Sequence, residues 1–235
     1  MTPTLHVHPT AELAERVLLP GDPGRALLLA QTLLEQPKMF NHNRGLWGYT
    51  GAAADGAPLT IQSTGMGGPS AAIVIEELVR LGARRLVRVG TCGALVGGFV
   101  LGDAIVAQEA ICKDGTSRAL GGGERVAADP ALTTALATAA ADDGGARSGT
   151  VVTTDLFYDE AGAHADPDHD PAHPALAIEM ETATLFRLAA LRGVQAGCVL
   201  AVSDLLGPKR GRIDAEAMEA AAQRIGRVAA TALAA

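Results

Sequence analysis

The sequence predicts an α/β fold with a mixed central sheet, on three observations. Short apolar runs of strand length alternate with stretches of helical periodicity. Helices open repeatedly on a proline step, at Asp22-Pro23, Gly68-Pro69 and Asp129-Pro130. Four of the apolar runs end on glycine-rich or polar turns, where open α/β sheets place their ligands.

In chain order, Val17-Leu18-Leu19 reads as a buried strand that stops at Pro20-Gly21. Asp22-Pro23 then opens a helix, with the carboxylate as N-cap and the proline where its missing N–H costs nothing. Leu46 to Ala52 and Leu59 to Ser63 pair across the turn Asp55-Gly56. Pro69 starts a helix whose apolar residues Ile73, Val74, Leu78 and Leu81 lie three or four apart, and Gly82 stops it. Leu86 to Val89 is a central strand ending at Gly90-Thr91-Cys92-Gly93, and another strand runs near Ala104 to Ala107. Asp129-Pro130 begins an Ala-rich helix that Gly144-Gly145 ends. Val151-Val152 is a strand, and residues 159–175 form a polar loop punctuated by proline. Met180 to Arg192 is a helix stopped by Gly193, Cys198 to Val202 a buried strand, and Asp214 onward a C-terminal helix. There is no internal repeat or linker, and at roughly 150 residues per domain the 235 residues fit one domain over 1–235.

Composition excludes several classes. With 48% hydrophobic residues the chain is not disordered. A formal charge of -7, from 19 Lys+Arg against 26 Asp+Glu, lacks the cation surplus that wrapping a duplex requires. A small anion remains compatible, because two placed arginines suffice for it. Cys92, Cys112 and Cys198 are odd in number and widely spaced, which suits reduced thiols better than a disulfide frame or zinc site. The N-terminus lacks the basic-then-apolar order of a signal peptide, and no apolar run approaches the ~18–20 residues of a bilayer span. A soluble, cytoplasmic protein is expected.

Chemistry concentrates at the strand ends. Arg88 lies inside the apolar run Leu86-Val87-Arg88-Val89, where a cation is costly without an opposite charge. Either it pairs with a core carboxylate or faces water on an edge strand, or it points along the strand toward an anion beyond its end. Arg25 sits in the first turn of a helix, against the dipole, and so has some other reason to be there. Together with Thr91 and nearby glycines, the two arginines can cradle a phosphate. GMGGPS carries Ser70 where a dinucleotide fingerprint has its third glycine, and no GxxxxGK[ST] occurs, so NAD and P-loop readings are rejected.

Glu179 and Glu181, two apart, repel each other unless each has a partner; acidic residues in a first helical turn are also ordinary. Asp204 follows the apolar run Cys198 to Val202, a position suited to an acid held protonated by desolvation, or simply to a loop cap. His164, Asp166, Asp168, His169, Asp170 and His173 match no ligand spacing, so no metal is expected. Phe157-Tyr158, entering the polar loop, is core or else a stacking wall for a planar ligand. Cys92 and Cys112 read as inert apolar residues.

The segments VLLPGDPGRA (17–26), NRGLWGYTG (43–51), STGMGGPSAAIVIEELVRLGARRLVRVGTCGAL (63–95), TTDLFYD (153–159), IEMETATLF (178–186) and AVSD (201–204), in this order, resemble the nucleoside phosphorylase family. That family includes the hexameric bacterial purine enzymes and the uridine enzymes. The resemblance implies a sheet partly closed into a barrel and flanked by helices, assembled as a homohexamer, a trimer of dimers. It implies reversible phosphorolysis of purine ribo- and deoxyribonucleosides, with inorganic phosphate as co-substrate and no cofactor. Gly21, Arg25, Arg88 and Thr91 would hold phosphate, with Arg44 reaching in from a neighbouring subunit. Glu181 would bind the ribose 2′- and 3′-hydroxyls beside Met180, and the neighbour's His6, or else His8, would meet the 5′-hydroxyl. Phe157 would stack on the base, with Met66, Cys92, Gly93, Glu179 and Ser203 completing the nucleoside pocket. Asp204 would protonate N7.

Two departures stand out. The hexameric purine enzymes pair the catalytic aspartate with an arginine on the last helix, where this chain has Ala217 and Met218; Lys209, Arg210 or Arg212 are the substitutes at hand. STGMGGPS and EELVRLG look closer to the uridine enzymes, yet Asp159 to Ala163 lacks the Gln and Arg that those use for uracil. Asp204 therefore favours purine over uridine phosphorolysis, over a water-using nucleosidase and over a non-catalytic nucleoside-binding module.

Overall fold

The computed structural model describes residues 4–158, 174–206 and 210–235. The chain runs β1 (Arg16–Leu19), α1 (Pro23–Leu33), β2 (Glu35–Asn41), a 3₁₀ turn (Asn43–Gly45), β3 (Gly48–Ala52), β4 (Pro58–Gln62), α2 (Gly68–Leu81) and β5 (Arg85–Ala94). It continues as β6 (Ala104–Cys112), α3 (Gly115–Ala119), β7 (Arg125–Ala127), α4 (Pro130–Asp142), β8 (Arg147–Thr153), β9 (Ala177–Glu179), α5 (Thr182–Arg192), β10 (Gln195–Leu205), β11 (Gly211–Arg212) and α6 (Ala215–Ala234). No described helix is long and apolar enough to cross a membrane.

The caps read from sequence at Asp22 and Asp129 are present, and Asp214 caps the last helix in the same way: each accepts a backbone N–H three residues on, at 2.7, 2.9 and 2.8 Å. Each such cap stabilises its helix by about 1 kcal/mol. Gly82 and Gly193 close α2 and α5 at positive φ.

All the described strands belong to one mixed sheet. β5, β10, β6, β8 and β9 pair in turn and close a five-strand ring, because β5 bonds both β9 and β10. From β5 the sheet continues as an open wing through β1, β4, β3 and β2. Alternate residues of the central strands feed two cores. Leu86, Cys92, Cys198 and Leu200 pack toward α2 and α5, whereas Val87, Val89, Val199 and Ala201 pack toward α1, α4 and α6. The expected α/β fold, with its partly closed barrel and flanking helices, is present.

Three local readings need correction. Gly90-Thr91-Cys92-Gly93 is not a turn: β5 runs through it to Ala94, because β10 supplies hydrogen-bond partners along that whole stretch. Likewise β10 extends to Leu205, with a bulge at Ser203 that lets Asp204 pair with Gly93. The α5 helix begins at Thr182, since residues 177–179 form β9 and Glu181 takes the N-cap position. The sequence reading also passed over β2, whose Pro37 argues against a strand; it is tolerated because β2 is an edge strand paired with β3.

Candidate active site

β1 and β4 end side by side against the middle of β5, at the level of Arg88, and the turns that follow β1 and β4 build one site. Gly65 N–H donates to Gly21 O at 3.0 Å and Thr64 N–H to Pro20 O at 2.9 Å, lashing the Pro20–Asp22 turn to the Thr64–Gly68 turn. A side chain at Gly65, with φ +74°, would run into Ser70 Oγ at 2.5 Å, so the close approach requires glycine. Met66 stands out of this turn, 86% exposed.

Arg88 lies under these turns, 5% exposed. Its Nε donates to Glu179 Oε2 at 2.9 Å and its Nη2 lies 2.5 Å from Glu181 Oε2. Burial alone would lower its pKa, but the Glu181 and Glu179 charges overcome this and raise it. Pairing with core carboxylates, one of the two readings of Arg88, is therefore real. It is also what puts the guanidinium next to Glu181 at the strand ends.

The two glutamates divide the work. Glu179 accepts from Thr153 Oγ1 at 2.5 Å, from Glu181 N–H at 2.9 Å and from Thr182 N–H at 2.9 and 3.0 Å, besides Arg88. Its oxygens are engaged by internal donors, so Glu179, expected to touch nucleoside, instead fixes Arg88 and the start of α5. Thr153, which also takes Ala183 N–H at 2.9 Å, is a support that sequence reasoning missed; nothing in its strand marks it out. Glu181 carries fewer contacts: Gly67 N–H donates to Oε1 at 2.5 Å, and Arg88 holds Oε2. Burial pushes Glu181 above the usual carboxylate range against the pull of Arg88.

Arg25 enters the same cluster from α1. Burial and the neighbouring Arg88 charge lower its pKa, while Asp22 and Glu181 draw it up. Its Nη1 is buried without a hydrogen-bond partner. Two like charges and an orphaned donor in one place form a site that an anion would complete. Thr91, half-buried on β5, lies beyond Arg88 on the same strand.

Gly90 separates the two. An added Cβ would come within 2.7 Å of the Arg88 guanidinium, which its ion pairs hold in place. Gly90→Ala is therefore expected to lower stability by about 1–3 kcal/mol through overpacking, measured as a lower thermal midpoint.

Asp204 stands near the end of β10, just past the bulge at Ser203, its side chain 24% exposed rather than buried. Ser203 Oγ donates to Asp204 Oδ2 at 2.7 Å and lies 3.2 Å from Cys92 O. Among the proposed substitutes for the missing helper, Arg212 is opposite Asp204 in the β10–β11 ladder, with Nε 3.7 Å from Oδ1. Arg210 is exposed, and Lys209 lies outside the described residues. Cys92 turns its thiol toward Ala201 O at 3.6 Å and burial pushes it well above its usual pKa, so its side chain packs rather than lines the pocket, as its apolar reading implied. Gly93 faces Leu206 and Ile178, and Met180 is half-buried between the two glutamates. Phe157 and Tyr158 are 53% and 86% exposed, edge to face with centroids 5.0 Å apart, so neither is core.

His6 and Arg44 are not part of this cluster in their own chain. His6 is tied to Glu77, and Arg44 is exposed in the 3₁₀ turn and makes no ion pair with a described residue. They do sit together: Asn43 Nδ2 donates to His6 O at 3.0 Å. His8 is exposed and its Nε2 faces Leu5 O at 3.1 Å. The His164 to His173 set lies outside the described residues, and among the described ones no group of His, Cys, Asp and Glu could hold a metal.

A comparison with known families places this geometry. The phosphorylase superfamily model matches residues 15–234. The chain belongs to the phosphorylase superfamily. Within it, the chain is 41% identical over 197 residues to the DeoD-type purine nucleoside phosphorylase of Oceanobacillus iheyensis, covering 82% of this chain and 83% of that one. It is 40% identical over 201 residues to the DeoD-type enzyme of Geobacillus kaustophilus, covering 83% of each. The matched span takes in every element of the superfamily fold from β1 to α6, and with it the arginines, the glutamates and Asp204.

Proposed function

We propose that the chain is a purine nucleoside phosphorylase, a pentosyltransferase that splits purine nucleosides with inorganic phosphate. Residues 1–235 act as one catalytic domain. The observation that carries the reading is the Arg25–Arg88–Glu181 cluster where β1 ends beside Arg88 of β5, with a buried guanidinium nitrogen of Arg25 lacking a hydrogen-bond partner.

Phosphate occupies the cluster between Gly21, Arg25, Arg88 and Thr91, relieving the repulsion between the two arginines. Glu181 accepts from the ribose diol with the lone pairs that Gly67 and Arg88 leave open. A phosphate oxygen bonds to C1′ as the C1′–N9 bond breaks through an oxocarbenium-like state, and the bond's electron pair leaves with the purine. Held against the anomeric carbon, the phosphate supplies both nucleophile and countercharge. Asp204 delivers a proton to N7, so the base departs neutral. Phe157 offers its exposed ring to the purine face, with Met66 and Met180 nearby in the chain's turns. The second copy's His6 and Arg44 complete the site in a homohexamer built as a trimer of dimers.

The test is a panel of inosine, guanosine, adenosine and uridine, each with and without phosphate. Release of purine base and ribose 1-phosphate only when phosphate is present is the expected result. Equal release without phosphate would make the protein a nucleosidase, and uridine as the sole substrate would overturn the assignment of Asp204.

A further inference from the structure

A buried carboxylate outside the catalytic cluster holds the chain's N-terminal segment. Glu77 lies on α2, 7% exposed, on the helix face that packs into the core with Val74 and Leu78. Its Oε2 accepts Val7 N–H at 2.7 Å and His6 N–H at 3.0 Å, and its Oε1 accepts Leu5 N–H at 3.1 Å. The His6 ring adds a fourth contact, with Nδ1 2.8 Å from Oε1. Burial pulls the Glu77 carboxyl upward, but the Val7, His6 and Leu5 donors outweigh it and keep the group below the usual range.

An ionised carboxylate can only accept, so the ring nitrogen facing it must carry the proton. The neutral imidazole then has its lone pair on Nε2. That nitrogen makes no hydrogen bond to any described residue, and the His6 side chain is 30% exposed. The backbone of the segment is held as well. Asn43 holds His6 O, and Asn41 Oδ1 accepts both His8 N–H at 2.9 Å and Asn43 N–H at 3.3 Å. His6 and the Arg44 turn are thus one rigid surface unit.

We infer that Glu77 is a positioning residue that fixes His6 as the Nδ1–H tautomer, so that Nε2 is presented to the neighbouring copy's site as a hydrogen-bond acceptor that selects nucleosides able to donate from the 5′-hydroxyl. This rests on the proposed function for the identity of the donor and for the neighbouring copy's site that His6 meets. The tautomer itself is a property of the free protein.

Two measurements test it. In ¹⁵N-histidine spectra of the full chain, with His6→Asn used to assign the signal, neutral His6 shows a protonated Nδ1 and a bare Nε2. A neutral ring protonated on Nε2 would overturn the inference whatever the protein catalyses. In the second measurement, wild type prefers inosine to 5′-deoxyinosine by about three- to tenfold in kcat/KM, the range of one neutral hydrogen bond. In Glu77→Gln, whose amide can partner either ring tautomer, that preference falls below about twofold while the phosphate KM stays unchanged. An undiminished preference in Glu77→Gln would overturn the role. Absence of inosine phosphorolysis in wild type would sink the proposed function instead, with the spectroscopic result still deciding the tautomer.

Discussion

Replacing Asp204 by alanine is expected to lower kcat on inosine by about 10²–10⁴, the usual reach of a general acid. The phosphate KM should hold, because Asp204 sits at the mouth of β10 with Ser203 and Arg212 rather than among Arg25, Arg88 and Glu181. The control is a substrate whose leaving group needs no proton. In 7-methylinosine the purine is already cationic and departs neutral, so the variant should process it at close to the wild-type rate. Steady-state kinetics on both substrates separate the acid role from structural damage: an equal fall on the two would assign Asp204 to positioning instead of proton transfer.

Arg88→Ala is expected to have the largest effect on stability. The guanidinium is buried against two buried carboxylates, and removing it takes away the cation that they share. Breaking a buried pair of this kind costs about 3–5 kcal/mol, which for a chain this size amounts to a thermal midpoint lower by about 10 °C. Phosphate-dependent turnover should fall along with it. The partner experiment neutralises what is left behind: adding Glu181→Gln, whose Oε2 position is held by Arg88 alone, to Arg88→Ala should recover part of the stability and none of the activity. If Arg88→Ala melted with the wild type, the ion-pair cluster would carry no weight in the fold.

Much of this site was legible in the residues because single positions broke a pattern. Arg88 interrupts an apolar strand, Arg25 opposes a helix dipole, and Asp204 follows five apolar residues. For Arg88 the anomaly marks a group whose partners, Glu179 and Glu181, are distant in sequence, and the structure supplies them. What the chain alone could not reveal was how strand pairing continues. Gly90 to Gly93 has turn composition, yet it stays extended because β10 lies alongside, and that neighbour is more than a hundred residues away. For the same reason Glu179 was grouped with Glu181, although the hydrogen bonds from Thr153 and the α5 start give the two opposite duties. Glu77 carried a signal that went unused: a carboxylate in phase with Val74 and Leu78 on the buried face of a helix. A charge at such a position needs buried donors, and here they come from a segment some seventy residues upstream.

The closed ring of strands has one more consequence. β5 and β10 are laddered from Arg85–Gln195 to Ala94–Leu205, interrupted only by the bulge at Ser203, and neither has a free edge along which to slip. The strand that bears Arg88 and the strand that bears Asp204 therefore act as a rigid caliper, its jaws set by backbone geometry before any substrate arrives. Any adaptation to ligands of different size then falls to the exposed side chains of Met66 and Phe157, while the spacing of Arg88 and Asp204 stays constant.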